Sequence, residues 1–372
     1  MNEKESKKNK KEMRTGYTTG ACATATTKAA LVALITGIVQ KDATIFLPVG
    51  KFATLEIDSC IIESTYAEAG TIKDAGDDPD ATHGALIQAK VSWSKQLGIV
   101  LDGGVGVGRV TKEGLPIAVG EAAINPVPRQ MILETAKEVL SSYGVKRGIS
   151  IIISVPDGEK IAEKTLNKRL GIIGGISILG TRGIVIPFSS SAYMASIVQA
   201  ISVARASGCQ QVVITTGGRS EKYAMLQYPH LQEEAFIEMG DFVGFTLKQC
   251  KKQGIKTVSL VGMMGKFSKL AQGEMNVHSK SSTVDFPFLT RIAREAGCHD
   301  QEILEKIRNA NTASQVGDLM LEEGYRKFFT ILCQYCCHHG LNEISGGLSI
   351  ETSLYTLKGT LLGKAGIVES ED

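Results

Sequence analysis

The chain has 372 residues, 43% of them hydrophobic and 22% charged, with a formal net charge of +2. That balance excludes a collagenous or disordered chain and a strongly basic nucleic-acid binder, while leaving room for a local basic site facing an acidic small molecule. The length favours two cores over one. No apolar run reads as a membrane span, and Met1–Arg14 is Lys-rich without the apolar stretch of a signal peptide. A cytoplasmic location is therefore expected, with residues 1–13 as a disordered basic tail. Eight scattered cysteines fit free thiols in a reducing compartment.

In chain order, Gly16–Gly37 predicts a turn at 17–20 leading into a helix whose N-cap is Thr18 or Thr19 and whose C-cap is Gly37; from Ala21 to Ala30 its residues are small apart from Lys28. Strands are expected over 43–48 and 53–62, the second alternating through Leu55, Ile57 and Ile61, then over 85–93 and 99–101. Pro126 and Pro128 open a helix with Ile132, Ala136, Val139, Leu140 and Tyr143 on its apolar face, closed by Gly144. A strand over 149–155 and a short helix around 159–166 follow. The second half alternates: strand 183–187, helix 192–206, strand 211–215, helix 241–253, strand 257–261. After Phe286 the pattern is mainly helical, with a last strand near 348–352. The fold class expected is α/β in two domains: an N-terminal mixed α+β domain over 14–180, and a C-terminal doubly wound, Rossmann-like parallel sheet with a helical tail over 181–372.

Five segments could carry chemistry. At Arg14–Gly20 a helix start preceded by Gly16, Thr18 and Thr19 offers backbone N–H groups and hydroxyls to an anion, with Lys28 about two turns further on; close helix packing is the alternative. Lys73–Gly84 places four carboxylates and His83 within ten residues. It is either an exposed acidic loop or a polar wall that meets the positive end of a ligand or moves a proton. Gly103–Arg109 resembles a nucleotide loop, but no helix follows, so a bulged structural role is favoured. The turns Thr216–Arg219 and Gly262–Lys266 sit at strand ends, where doubly wound sheets bind ligands; Gly217, Gly218, Gly262 and Gly265 are the candidate cofactor glycines, with ordinary strand-to-helix turns as the alternative. Cys333, Cys336, Cys337, His338 and His339 are metal-ligand types, yet the cysteines fall on one helical face with Phe329, and a buried apolar stripe is favoured with no metal bound.

The order of these segments resembles the CbiD family, the cobalt-precorrin-5B C1-methyltransferases. The matching runs are Arg14–Ala23, Lys73–Gly84, Val107–Leu115, Gly120–Arg129, Lys164–Ile172 and Gly174–Thr181, and the resemblance spans roughly residues 14 to 280. Departures from the family pattern fall at Met263 (histidine expected), Ala122 (proline expected) and Arg182 (an uncharged residue expected).

The resemblance implies methyl transfer from S-adenosyl-L-methionine to C1 of cobalt-precorrin-5B, giving cobalt-precorrin-6A in oxygen-independent cobalamin biosynthesis, with cobalt present only as part of the tetrapyrrole substrate. The sulfonium is already an activated leaving group, so alignment and water exclusion are the main demands. The substrate's many carboxylates make Arg14, Lys28, Arg109, Arg129 and Arg169 anchors, beside Thr18 and Thr19. Asp77, Asp78 and His83 are then the catalytic candidates, facing the cationic methionine portion or handling a proton. A homo-oligomer and transient contact with neighbouring pathway enzymes fit this reading; nucleic acid and membrane partners do not. The competing reading is a non-catalytic carrier of corrinoid intermediates.

Overall fold

The computed structural model describes residues 13–369 and divides into two compact units, one ending at Ser189 and the other beginning at Ser190. The expected basic tail falls almost wholly outside the described residues. Together the units give a mixed α/β protein with several sheets.

In the first unit, helix α1 is Thr19–Thr36. The Thr18 hydroxyl accepts from Ala21 N, and Gly37 ends the helix in the left-handed region at φ 72°. Between Thr19 and Thr27 no side chain is larger than threonine or cysteine, and every one of these residues is buried. Three threonines satisfy themselves by bonding back along the helix: Thr24 to Gly20 O (2.8 Å), Thr26 to Cys22 O (3.0 Å) and Thr27 to Ala23 O (2.7 Å). By length and composition α1 could cross a membrane, which the sequence reading did not anticipate; here 72% of it is buried inside the unit, as a core helix surrounded on all sides would be.

Around it lie β1 (Asp42–Leu47), β2 (Lys51–Glu56), β3 (Ser59–Ile62), β4 (Tyr66–Ile72), β5 (Leu86–Ser94), β6 (Ile99–Gly103), α2 (Pro126–Ser142) and β7 (Gly148–Ser154). β1 and β2 form a hairpin that buries Ala43, Ile45, Ala53 and Leu55 and leaves Phe46 and Phe52 exposed. The main sheet runs β3-β4-β5-β7-β6, antiparallel except for the β7/β6 pair. Its inward residues Ile87, Ala89, Val91, Ile149, Ile151 and Ile153 share one core with α1 and with Ile132, Ala136 and Val139 of α2.

The segment Gly103–Gly108 is packed backbone, as the structural reading expects. A Cβ on Gly106, whose φ is 69°, would lie 1.8 Å from Val155 O, and one on Gly108 would strike Ile172 at 2.4 Å. This closeness lets Gly106–Val107 pair with Gly175–Ile176. Residues Ile184–Val185, expected to open the second sheet, instead pair with Gly16–Tyr17 in the first unit. They form a two-residue bridge across the start of α1.

The second unit holds α3 (Ser190–Ala206), β8 (Gln211–Thr215), α4 (Gly218–Gln227), β9 (Phe236–Glu238), α5 (Val243–Lys252), β10 (Thr257–Met263) and α6 (Met264–Ala271). Four helices follow, α7 (Phe286–Glu295), α8 (Gln301–Arg308), α9 (Ala313–Glu322) and α10 (Lys327–Ile344), before β11 (Ser349–Tyr355) and β12 (Leu361–Ile367). The sheet order is β9-β8-β10-β11-β12, parallel except at the last pair. Strand alternation divides its faces. Val212, Ile214, Val258 and Leu260 join the core beneath α3, α5, α6 and α10, while Val213, Val261 and Tyr355 pack against Ala224 of α4 and Tyr228 just beyond it.

Cys333, Cys336 and Cys337 are buried on α10, with their thiols on Gly363 O, Phe267 O and the Thr352 hydroxyl. Burial pushes the Cys337 thiol up to about 11, so it stays protonated. No metal-holding cluster of acidic, cysteine or histidine residues exists among the described residues.

Candidate functional site

Each unit offers a candidate place for a ligand. The first is a cavity of about 240 Å³ in the first unit, lined among others by Thr18, Thr19, Lys73, Asp80, Thr82 and Asn167. Its chief feature was not legible in the sequence. Lys73 is completely buried, at 1% exposure, and its ammonium lies 2.7 Å from Asp80 Oδ2. The other Asp80 oxygen accepts from Thr82 N (2.7 Å) and the Thr82 hydroxyl (2.6 Å). Burial pushes the Asp80 carboxyl upward, but Lys73 and Thr82 outweigh it and hold the group below the usual carboxylate range. A buried lysine with an acidic partner puts fixed charge at the cavity wall.

The threonines at the helix start are spent on the fold. Besides the Thr18 cap, the Thr19 hydroxyl accepts from Leu179 N at 2.8 Å. Gly20 N donates to Leu179 O at 3.0 Å and Thr18 N to Gly183 O at 3.1 Å. The helix N-terminus is thus clamped to the 177–183 segment, and the expected anion-binding donors are largely consumed. Lys28 turns away: its ammonium bonds Thr44 O of β1 at 2.5 Å, and it does not line the cavity.

The acidic loop is compensated from within. Asp74 takes a two-pronged contact from the Arg14 guanidinium and is held below the usual range chiefly by it, with Gly76 N assisting. Asp77 Oδ2 accepts from Arg14 N at 2.7 Å, and Asp78 Oδ1 from Phe188 N at 2.9 Å. His83 Nδ1 accepts from Ala75 N at 3.1 Å, which leaves the proton of the neutral ring on Nε2. The crowding of carboxylates that invited a catalytic reading is answered by Arg14, Lys73 and backbone N–H groups.

The arginines separate. Arg109 donates to Asp102 Oδ2 (2.8 Å) and Gly103 O (3.1 Å), and Arg129 lies 3.6 Å from Glu121. Arg109 bridges to Ala122, one residue from Glu121, and Arg129 helps Arg109 hold the Asp102 carboxyl low, so these two arginines share one patch. Arg169 is half-buried on the segment leading into Ile172–Ile173, the strand that pairs with Arg109–Val110.

The second place is the carboxyl end of the sheet in the second unit. β8 leads into α4 on one face and β10 into α6 on the other, so the connections part there, the arrangement at which doubly wound sheets bind ligands. Gly217 caps α4 with φ 153° and ψ 168°, a conformation essentially reserved for glycine. A Cβ there would meet only Glu238 Oε1, at 3.7 Å, and Cβ atoms on Gly218 and Gly265 would meet nothing within 4 Å. Gly262 is different. It lies within β10, and a Cβ would strike the Phe267 ring at 2.2 Å, so it is a packing glycine rather than a loop glycine. Lys266 ties the strand ends together: its ammonium donates to Thr216 O (3.2 Å) and Gly240 O (3.4 Å) and lies 3.0 Å from Asp241 Oδ1. Sequence reasoning missed Glu238, although its place about twenty residues beyond Gly217 was a usable signal.

The first unit thus carries a cavity with a buried lysine at its wall, and the second an open glycine turn at parallel strand ends. Comparison with known proteins gives the family. The CbiD family model matches residues 6–187, and that of the CbiD C-terminal domain matches residues 276–366. A relative from Geobacillus sp. (strain WCH70), a cobalt-precorrin-5B C(1)-methyltransferase, is 69% identical over 96% of this chain and 97% of its own. Another of the same name, from Priestia megaterium, is 65% identical over 97% of this chain and 98% of its own. A crystal structure of cobalamin biosynthesis protein (cbiD) from Archaeoglobus fulgidus aligns at 26% identity with a TM-score of 0.39, covering 84% of this chain and 85% of that one. The chain belongs to the CbiD family. Membership extends through the C-terminal third, beyond residue 280, where the sequence resemblance ended.

Proposed function

We propose that the chain transfers a methyl group from S-adenosyl-L-methionine to C1 of cobalt-precorrin-5B, giving cobalt-precorrin-6A in anaerobic corrin assembly. The observation that carries this is 69% identity, over nearly the whole of both chains, to a relative bearing that activity as its name. A carbon–carbon bond forms to the ring carbon while the carbon–sulfur bond breaks, its electron pair staying on sulfur, and one proton leaves the acceptor. Because the donor is already activated, binding, orientation and exclusion of water are what the protein must supply.

The second unit is read as a Rossmann-like, doubly wound sheet that receives the donor. Its strand order runs second-first-third, which puts the switch point between β8 and β10. The open glycines 217, 218 and 265 leave room there for a ligand to approach the backbone, and the Lys266 clamp holds the turn. The first unit, read as an N-terminal α+β domain, receives the acceptor. Arg109, Arg129 and Arg169 suit the tetrapyrrole's carboxylates, and the Lys73 wall of the cavity suits another. In this reading Asp77, Asp78 and His83 hold the cavity loop closed and act by position rather than as a base. Anaerobic incubation with S-adenosylmethionine carrying a deuterated methyl group, followed by mass spectrometry of the tetrapyrrole, tests the proposal. The expected result is one labelled methyl per acceptor; an unlabelled acceptor beside folded protein and intact donor refutes it.

A further inference from the structure

We infer that Glu238 is the ribose clamp of the donor site, its carboxylate accepting hydrogen bonds from the vicinal hydroxyls of an adenosine ribose and so selecting an unphosphorylated ribonucleoside. The inference rests on the donor placement proposed above and adds to it a residue and a specificity. Four observations carry it. Glu238 ends β9, and its register partner on β8 is Thr215, so it stands beside the strand end that runs into Thr216 and Gly217. Among the described residues, and apart from the chain neighbours of Gly217, its Oε1 is the one atom within 4 Å of where a Gly217 side chain would begin, at 3.7 Å, so the carboxylate stands directly in front of the open glycine. The Tyr193 hydroxyl, on α3, is a hydrogen-bond partner of the same carboxylate, and the Tyr193 side chain lies against Phe242 and beside Gly240, where an added Cβ would meet its hydroxyl at 3.0 Å. That contact orients the acid while occupying only part of its acceptor capacity.

The fourth observation is a contrast between two neighbouring acids. Asp241, three residues on, faces the Lys266 ammonium at 3.0 Å. Glu238 is exposed and has no cation paired with it among the described residues. An acid oriented by a tyrosine, left unneutralised and aimed at a glycine turn suits neutral hydroxyl donors. It repels a phosphate carried on the ribose hydroxyls, so a 2′-phosphorylated nucleoside is disfavoured at this position.

Calorimetric titration of the full chain with S-adenosylhomocysteine and with its 2′-deoxyribose analogue separates the possibilities. Three proteins are compared: wild type, Glu238→Gln, and Gly218→Val, which fills the open turn. Because Glu238 is exposed, Glu238→Gln is expected to melt with the wild type. It should bind S-adenosylhomocysteine about tenfold to thirtyfold more weakly, while its loss for the 2′-deoxy analogue, which keeps only the 3′-hydroxyl, should be clearly smaller. Gly218→Val should lose both ligands. If Glu238→Gln binds S-adenosylhomocysteine as wild type does while Gly218→Val does not, the clamp is wrong and the donor site stands. If Glu238→Gln weakens both ligands equally, the residue shapes the loop and the clamp is likewise wrong. If Gly218→Val binds normally, the donor placement itself fails, and the clamp with it.

Discussion

Two glycine-rich segments look alike as strings and are opposites as structures. In Gly103–Gly108 each glycine is there because something occupies the space of its side chain: Val107 and Ala122 at Gly103, Val155 O at Gly106, Ile172 at Gly108. In Gly217–Gly218 the space is empty but for Glu238 Oε1 at 3.7 Å. The first kind brings backbone against backbone; the second leaves backbone accessible to a ligand. Glycine spacing cannot tell them apart, whereas the volume in front of each Cα can. Gly262 sharpens the point, because it sits at the expected strand end and still belongs to the packed kind.

The largest effect that would break this comparison is on folding. Gly106→Ala combines a positive φ with a clash against a main-chain carbonyl, and should destabilise the first unit by roughly 4 kcal/mol or more, read as lost cooperative melting. A stable Gly106→Ala protein would mean the segment is as open as Gly217. Asp80→Ala comes next: it strands a fully buried ammonium and should cost about 3–5 kcal/mol in chemical denaturation. The double variant Lys73→Met/Asp80→Leu should recover most of that loss, since an apolar pair leaves no buried charge uncompensated.

A pH series sharpens the same contrast. Asp80 is held below its ordinary carboxylate value in the folded chain, so its contribution is fully present above the unfolded value of about 3.9 and is lost as pH falls through the lower folded value. Wild type should therefore lose stability progressively below about pH 4, and Asp80→Asn, already destabilised, should lack that component of the slope. Lys266→Met should have a smaller effect, about 1–2 kcal/mol, because it releases the contacts to Thr216, Gly240 and Asp241 at a half-exposed site. It should also weaken S-adenosylhomocysteine binding by loosening the turn. Smallest of all, Gly218→Ala should change the melting temperature little, because nothing lies within 4 Å of the added methyl.

How much could be read from the sequence follows the range of the interactions involved. α1 was legible because Thr18 and Gly37 are local caps, and β8 and β10 because short apolar runs between glycines are local too. β9 and β12 were missed: β9 has three residues, and β12 carries two glycines and a lysine, so neither has a clean alternation. Ile184–Val185 was assigned to the wrong sheet because its partner, Gly16–Tyr17, is far away in sequence. The acidic loop was found, but its meaning was not. Arg14 and Phe188, which satisfy Asp74, Asp77 and Asp78, arrive from distant segments, and nothing local marks Lys73 as buried. The turn at Gly217 was found for a sound reason, the strand-end rule, and that rule, carried one strand further, would have reached Glu238.

Hydrogen–deuterium exchange of the full chain with and without saturating S-adenosylhomocysteine tests the central contrast most directly. Slowed exchange around Thr216–Ser220, Glu238–Asp241 and Met263–Lys266, with Gly103–Arg109 unchanged, is the predicted result. Ligand-dependent protection centred on Gly103–Arg109, with the strand ends of the second unit unaffected, would contradict it.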